Sequence, residues 1–332
     1  MQIDLLIHSA AQLLTIPDGP QRGRALGNLG IVEDGAVAMH NGTLVATGTT
    51  VALQSEYQPV QTLNATGKVA IAHLQAEGPW DLIATFLGAH AVPTEYQDCP
   101  DAYVSVVVNE MLPALSQWPL AGRGPIFCDV FCEEGVFSVA QARRILERAK
   151  DLNFGLKIHA DEFKGLGGTA LGVELGAVSA DHLVCTPDED ILALGQSNTV
   201  AVSLPCTPFG LGQQTYTPAQ AILKANGLFA LATDCNPGPA WCESMQFVIA
   251  LACRSLRLTP AQAIVAATIN AACAIEMGDR VGSLEVGKQA DVLILDVPDY
   301  RHLGYRFGSN LVQTVVKAGR IVVERGREKY YE

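Results

Sequence analysis

Ionisable side chains stand at the ends of five of the six apolar segments in the middle of this sequence. Imidazole and carboxylate groups are the ligands of borderline and hard divalent ions, and catalytic metal sites keep one position open for water. Three of the seven histidines lie at these ends, so the set predicts one metal-dependent catalytic site. In chain order the residues are His90, Glu133, His159 with Glu162, His182 and Asp234.

The chemistry of these side chains suggests a role for each. His159 and Asp234 are predicted metal ligands. Glu162 lies three residues beyond His159 and could accept a proton from the attacking water. His182 could stabilise the oxyanion or give a proton to a leaving nitrogen. Any one of these residues, taken alone, could instead cap a helix or bind a loop amide.

Parallel strands are the elements that would bring these side chains together, because active residues of α/β barrels lie at the carboxyl ends of the strands. Helices that begin at Ser138, Thr186, Thr217 and Thr259 alternate with the apolar segments, which predicts a parallel sheet covered on both faces. The six predicted strand segments are 83–90, 125–133, 155–162, 177–183, 199–205 and 227–235.

The two ends of the chain have a different pattern. β-forming residues alternate with turns such as Asn41-Gly42 and Ala318-Gly319, which is typical of hairpins. Residues 1–65 and 283–332 are therefore predicted to form one composite β-sandwich domain, and residues 66–282 a (β/α) barrel-like catalytic domain. A closed barrel needs eight strands. The α/β barrel thus lacks its first two strand-helix units.

Composition narrows the class of protein. The 332 residues are 49% hydrophobic and 17% charged, and the net charge of −12 argues against a nucleic-acid or anionic-membrane partner. Nine cysteines without a CxxC pair indicate reduced thiols. With no signal peptide and no apolar run of about 20 residues, the expected location is the cytoplasm. The Ala-rich stretch 261–275 is predicted to be one long helix with a surface for a homodimer.

Several segments resemble the imidazolonepropionase family of amidohydrolases: TFLGAHAVP, DVFCEEGVFS, KIHADEFKGLGGTALGVELGAVSADHL, ATDCNPG and GSLEVGKQADVLILD. The resemblance covers nearly the whole chain except the region around residues 68–84. It implies hydrolysis of the cyclic amide of the small molecule 4-imidazolone-5-propanoate to N-formimidoyl-L-glutamate, with one zinc or iron ion. By motif match it implies His159 and Asp234 as metal ligands, Glu162 and His182 as catalytic residues, and His90, Glu162, Asn236 and Gly238 as substrate-binding residues. It gives Glu133 no role, and we assign that residue a structural one.

The chain departs from the family pattern in one region. A His-Thr-His motif that supplies two further ligands, a substrate-binding arginine and a Ser-Gly-Tyr-Gly segment are all missing from the sequence. His73 is the only histidine between residues 68 and 84, and we expect it in a helix rather than on the metal. Because affinity depends on the number of ligands and their preset geometry, we expect weak, substoichiometric metal binding and slow turnover.

Two other classes of function stay open at this stage. The chain could be a catalytically impaired remnant that keeps the second half of the fold, or a related amidohydrolase such as a deaminase. The motifs favour imidazolonepropionase over a deaminase. They do not separate enzyme from remnant, since both keep the same strands, and the metal content per chain is the measurement that would.

Overall fold

The computed structural model describes residues 1–66, 69–72, 81–117 and 126–325, with backbone only for 69–72. Its strands form two sheets, one mixed and one parallel. The strands of the mixed sheet are β1 Gln2–Leu14, β2 Ile31–His40, β3 Thr43–Thr49, β4 Gln58–Asn64, β5 Val69–Ala72, β12 Val292–Leu295, β13 Val312–Lys317 and β14 Arg320–Glu324. The strands of the parallel sheet are β6 Ala84–Ala89, β7 Ile126–Cys132, β8 Gly155–Ala160, β9 Ser179–His182, β10 Val200–Ser203 and β11 Leu228–Leu231.

Helices connect the parallel strands and cover the sheet. None of the helices in the described part of the chain is long and apolar enough to span a membrane. A π-helical turn, Val107–Met111, joins α2 to α3, and 3₁₀ turns lie at Gly23–Ala25 and Thr94–Tyr96. The α-helices are α1 Thr50–Glu56, α2 Pro100–Val106, α3 Leu112–Ser116, α4 Val139–Asp151, α5 Gly168–Leu175, α6 Asp188–Gly195, α7 Cys206–Gly210, α8 Ala219–Lys224, α9 Met245–Ser255, α10 Pro260–Ala266, α11 Ile269–Cys273 and α12 His302–Tyr305.

The mixed sheet takes strands from both ends of the chain, in the order β14-β13-β12-β5-β1-β2-β3, with β4 parallel to β1. Both predicted hairpins are present. Asn41-Gly42 and Ala318-Gly319 turn with positive φ at both positions, the conformation that suits the twist of a two-residue hairpin. The division of the chain into two domains remains a prediction.

The parallel sheet confirms all six strand segments, in the order β11-β10-β9-β8-β7-β6. One face of it is apolar and packs into the main hydrophobic core, with Cys128, Val130, Ile158 and Phe229 completely buried. The other face carries polar residues on β7, β8 and β9, because side chains alternate along each strand. This polar face is where the candidate site lies.

Two of the four predicted helix starts are correct. Ser138 and Thr259 each form a capping box, in which their hydroxyl accepts a hydrogen bond from the backbone amide three residues on. The starts at Thr186 and Thr217 are wrong, because α6 and α8 begin two residues later with no side-chain cap. The Thr217 hydroxyl instead donates to the carbonyl oxygen of His182 at 2.6 Å, a tertiary contact that the local pattern did not reveal.

The prediction of one long Ala-rich helix is also wrong. The chain breaks between α10 and α11, where Thr268 leaves the helical conformation. Just beyond the break, the buried Asn270 side chain donates to the carbonyl oxygens of Gln21 and Phe229, each at 2.8 Å. These hydrogen bonds tie the segment after the break to Gln21 and to β11. Both helices are largely buried, and the homodimer stays a prediction.

Candidate metal centre

The register of the parallel sheet aligns the polar residues of three neighbouring strands. Phe131 of β7 pairs with His159 of β8, and His159 pairs with Asp181 of β9. Residues paired in this way lie on the same face, so Asp129, two residues before Phe131, lies on the His159 face as well. The sheet therefore gathers two carboxylates around one imidazole.

His159, His182 and Asp234 form the first group of possible ligands. One donor atom of each lies within 4.8 Å of the other two. His182 is only 4% exposed, and its Nδ1 has no hydrogen-bond partner among the described residues. His182 and Asp234 have φ values of 76° and 53°, a left-handed conformation that is unfavourable for residues other than glycine and that recurs at functional sites. The sheet thus brings together the two predicted ligands and one predicted catalytic histidine.

Glu162 lies beside this group, with its Oε2 3.5 Å from Nε2 of His182. Burial, together with the negative charge of Asp234, raises the pKa of Glu162 to about 7. Burial, together with the positive charge of His159, lowers the pKa of His182 to about 3. A carboxylate that titrates near neutrality beside a neutral imidazole is a pair suited to acid-base chemistry.

Asp129 and Asp181 belong to the site and were missed by the sequence analysis. Asp129 Oδ2 lies 2.8 Å from His159 Nδ1 and 3.6 Å from His90 Nε2, and His90, Asp129 and His159 form a second group with donor atoms within 4.8 Å of one another. Although burial opposes ionisation of His159, the negative charge of Asp129 raises the pKa of His159 to about 9. An ionisable residue inside an apolar strand, as in FCDVF, was the available signal.

The remaining predicted residues lie around these groups. His90 is part of the second group, whereas Asn236 and Gly238 are on the loop that follows Asp234. The Asn236 amide donates to the Asp234 carbonyl at 2.7 Å and its carbonyl accepts from the Gly238 amide at 2.7 Å. Asn236 therefore stabilises this loop. His73 lies outside the described residues.

Glu133 has the structural role that we assigned to it. It is buried, and its two carboxylate oxygens accept hydrogen bonds from the backbone amides of Glu134 and Phe163, each at 3.0 Å. These bonds connect the ends of β7 and β8 to their loops. Glu133 is thus engaged by loop amides and not by the ligand groups.

The donors that converge here fit a divalent ion. Each group offers two imidazole nitrogens and one carboxylate, a set that suits zinc or iron and leaves coordination positions free. A cavity of about 220 Å³ opens beside them, lined by His159, Asp181 and Asp234 together with Lys157. The site can therefore hold an ion with space for a small molecule at its edge.

Several known proteins are similar to this chain. The sequence profile of the amidohydrolase family matches residues 33–322. The imidazolonepropionase of Herpetosiphon aurantiacus is 55% identical over 283 residues, which is 84% of this chain and 66% of that protein. The chain thus spans about two thirds of the length of that relative.

A second relative shows that residues are missing here. The alignment with the imidazolonepropionase of Chloroflexus aggregans, at 36% identity, covers 96% of this chain and 98% of that protein. It is 420 positions long and includes 96% of the 332 residues of this chain, about 319, so about 101 of its positions have no residue here. Among solved structures, an adenosine deaminase of Xanthomonas campestris with bound zinc has a TM-score of 0.68 at 19% identity, over 98% of this chain and 94% of that one. At that identity the likeness confirms the amidohydrolase-type α/β fold alone.

Proposed function

Because this chain belongs to the amidohydrolase family, we propose that it hydrolyses the cyclic amide of 4-imidazolone-5-propanoate to N-formimidoyl-L-glutamate. The observation that carries the proposal is the position of Glu162. Its carboxylate is 8% exposed, 3.5 Å from the neutral His182 and close enough to Asp234 for that charge to raise its pKa. The identity to imidazolonepropionases, up to 55%, supports this substrate over the substrates of the deaminases.

We assign the ion to His159 and Asp234 during this reaction, and zinc and iron both suit these donors. When bound, a divalent ion polarises the amide carbonyl and lowers the pKa of water toward about 7. We assign His182, whose Nδ1 has no hydrogen-bond partner among the described residues, to donate to the oxygen that gains negative charge. In this assignment the chain contributes two of the ligands and the acid-base groups.

Glu162 moves the proton in the proposed reaction. Its carboxylate accepts a proton from the attacking water and then gives it to the ring nitrogen as the carbon–nitrogen bond breaks. A pKa of about 7 suits both steps, because the group can gain and lose a proton near neutral pH. His90, Asn236 and Gly238 are assigned to substrate binding on the family resemblance. Since the His-Thr-His motif and the arginine are missing, we expect slower turnover than in relatives that have them.

The test is loss of substrate absorbance with the purified chain, with and without one equivalent of zinc or iron. Glu162→Gln should lower kcat/KM by about 10²–10⁴-fold, the usual contribution of a positioned acid-base group. Glu134→Gln is the matched control, because Glu134 is exposed and pairs only with Lys164 among the described contacts, and it should leave kcat/KM unchanged. Absence of product from the metal-loaded wild-type chain, or release of ammonia from a ring amine instead, would disprove the proposal.

A further inference from the structure

We propose that His90, Asp129 and His159 form a metal site of this chain's own, separate from the His159–Asp234 position assigned above. The donor atoms of the three residues lie within 4.8 Å of one another. Asp129 has no role in the family resemblance, and neither His90 nor Asp129 was expected as a ligand. The proposed site concerns binding of a divalent ion and does not depend on whether the chain hydrolyses imidazolonepropanoate.

The burial of Asp129 is the first argument. Its carboxylate is 2% exposed in the middle of β7, and a buried charge is costly unless a counter-ion or hydrogen bonds compensate for it. Lys157 is its partner in the strand register, yet the Lys157 ammonium donates to Ser179 Oγ at 2.7 Å and to the Ala274 carbonyl at 2.8 Å. Lys157 is thus engaged elsewhere, and the imidazoles of His159 and His90 are the groups that face the Asp129 charge.

The directions of the donor groups are the second argument. Asp129 Oδ2 and His159 Nδ1 are 2.8 Å apart, but His159 Nδ1 makes no hydrogen bond within the described chain. His90 Nε2 and Asp129 Oδ1, both buried, likewise have no hydrogen-bond partner there. One short contact without hydrogen-bond geometry, with a second buried imidazole nitrogen 3.6 Å from the same carboxylate oxygen, is what ligands aimed at a common point produce. A simple ion pair would align the imidazole N–H with the carboxylate.

The spacing fits an ion. Ligand atoms bound tetrahedrally to zinc at 2.0–2.1 Å lie about 3.3 Å apart. The distances of 2.8 Å and 3.6 Å from Asp129 Oδ2 to the two imidazoles fall on either side of this value. The distance between the donor nitrogens of His90 and His159 is below 4.8 Å. Small side-chain rotations would therefore bring all three ligand atoms to the separations of a tetrahedral site. Asp181 Oδ2, 3.8 Å from His159 Nδ1, adds a second negative charge beside the site.

The two positions share His159, and two features favour the new one for the first ion. Asp234 already accepts a hydrogen bond from the Thr207 hydroxyl, which satisfies part of its charge. Asp129 has an oxygen without any such partner among the described residues and is more deeply buried. An ion at His90, Asp129 and His159 therefore neutralises the less satisfied carboxylate.

The experiment measures binding of Co²⁺ and Zn²⁺ to the full chain in the absence of substrate, by calorimetry and by the visible spectrum of bound Co²⁺. Asp129→Asn and His90→Gln should each weaken binding by more than the roughly 10–100-fold that loss of an outer-shell partner costs. Asp234→Asn is the matched control and should weaken binding of the first ion less than about tenfold. Thermal unfolding of each metal-free variant checks that it folds, and the partly exposed His90 provides a variant that leaves the core intact.

The reverse pattern would overturn the proposal: binding lost in Asp234→Asn and kept in Asp129→Asn. So would a wild-type chain that binds neither ion. Because no substrate is present, either result leaves the proposed hydrolysis to be judged by its own assay. Loss of imidazole ¹⁵N signals of His90 and His159 on addition of Co²⁺, with the signal of His40 retained, should accompany the expected pattern.

Discussion

The two sheets of this protein obtain their strands in different ways. The mixed sheet is assembled around β1, which pairs with β2, β4 and β5, and in the described part of the chain two of its four other pairings, β2 with β3 and β13 with β14, are hairpins closed by two-residue turns. In the parallel sheet each strand pairs with its neighbours in the chain, and β6 and β11 lie at the two edges of the order found in the described residues. Two-residue turns thus join two strand pairs of the mixed sheet, whereas the strands of the parallel sheet are connected through helices.

The candidate ligands come from the parallel sheet. The first group draws on β8, β9 and the loop after β11, and the second on the end of β6, β7 and β8. Each group therefore uses one residue from an edge of the sheet, and His159 in the middle strand is common to both. The six parallel strands in the described residues are enough to bring both groups of candidate ligands together, with His159 of β8 common to both.

Replacement of His159 should have the largest effect. Because His159 belongs to both groups, His159→Ala should reduce the affinity for Zn²⁺ by more than about 100-fold, beyond what loss of an outer-shell partner costs. His40→Ala is the control in the mixed sheet, where the partly exposed ring lies 3.2 Å from Asp4. Isothermal calorimetry would measure the Zn²⁺ affinity of both variants. An equal loss of affinity in His159→Ala and His40→Ala would show that Zn²⁺ binding is not specific to the parallel sheet.

Core truncation should separate stability from metal binding. Phe229 of β11 and Leu13 of β1 are both completely buried. Phe229→Ala should lower the free energy of unfolding by about 3–5 kcal/mol and Leu13→Ala by about 2–5 kcal/mol. Only Phe229→Ala should also weaken binding of a second Zn²⁺ ion to the folded protein, at the His159–Asp234 position, because β11 leads to Asp234. Urea unfolding and zinc titration of both variants test this, and unchanged zinc affinity in Phe229→Ala contradicts it.

A turn substitution should affect the mixed sheet alone. Gly42 has a φ of 76°, and a Cβ there would lie 3.3 Å from the Ala318 carbonyl oxygen. Gly42→Val should therefore cost about 1–2 kcal/mol of stability, the penalty for a side chain in the left-handed conformation. Gly308→Ala is the control, since Gly308 has open space around its Cα. Thermal unfolding is the measurement, and a larger loss in Gly308→Ala would show that turn strain is not the cause.

The contact between the sheets should give the smallest effect, and it depends on pH. Lys317 Nζ, at the end of β13, lies 2.6 Å from Asp81 Oδ2, just before β6. Although burial opposes ionisation, hydrogen bonds from Lys317 and Gln289 hold the pKa of Asp81 below its ordinary 3.8. The unfolded chain then binds more protons, so this stabilisation is present above pH 4 and is lost as pH falls.

Asp81→Asn should accordingly flatten the acid side of the stability profile. The change should stay below about 1 kcal/mol, because the Asp81 side chain is 40% exposed and solvent screens the pair. Urea unfolding between pH 2 and pH 6 would measure it, with Asp4→Asn as the exposed control. A stability profile identical to that of the wild-type chain would show that the contact between Lys317 and Asp81 does not stabilise the protein.

Local features of this protein could be predicted from the sequence. The six apolar strands, the turns at Asn41-Gly42 and Ala318-Gly319, and the caps at Ser138 and Thr259 depend on a few adjacent residues. His159, His182 and Asp234 could be selected because residues at the ends of parallel strands share one edge. These features need no knowledge of which distant segments meet.

Only the tertiary structure decided which candidate ligands lie next to one another. Asp129 and Asp181 join the site because the register of β7, β8 and β9 sets them on the same face as His159, and that register depends on packing of the whole sheet. The helix break at Thr268 and the use of the Thr217 hydroxyl by His182 also depend on contacts between distant residues. Sequence periodicity specifies on which face of a strand each side chain lies. Which residues of the adjacent strands lie beside that side chain depends on how the whole sheet buries its apolar surface, and adjacent residues in the sequence do not determine this.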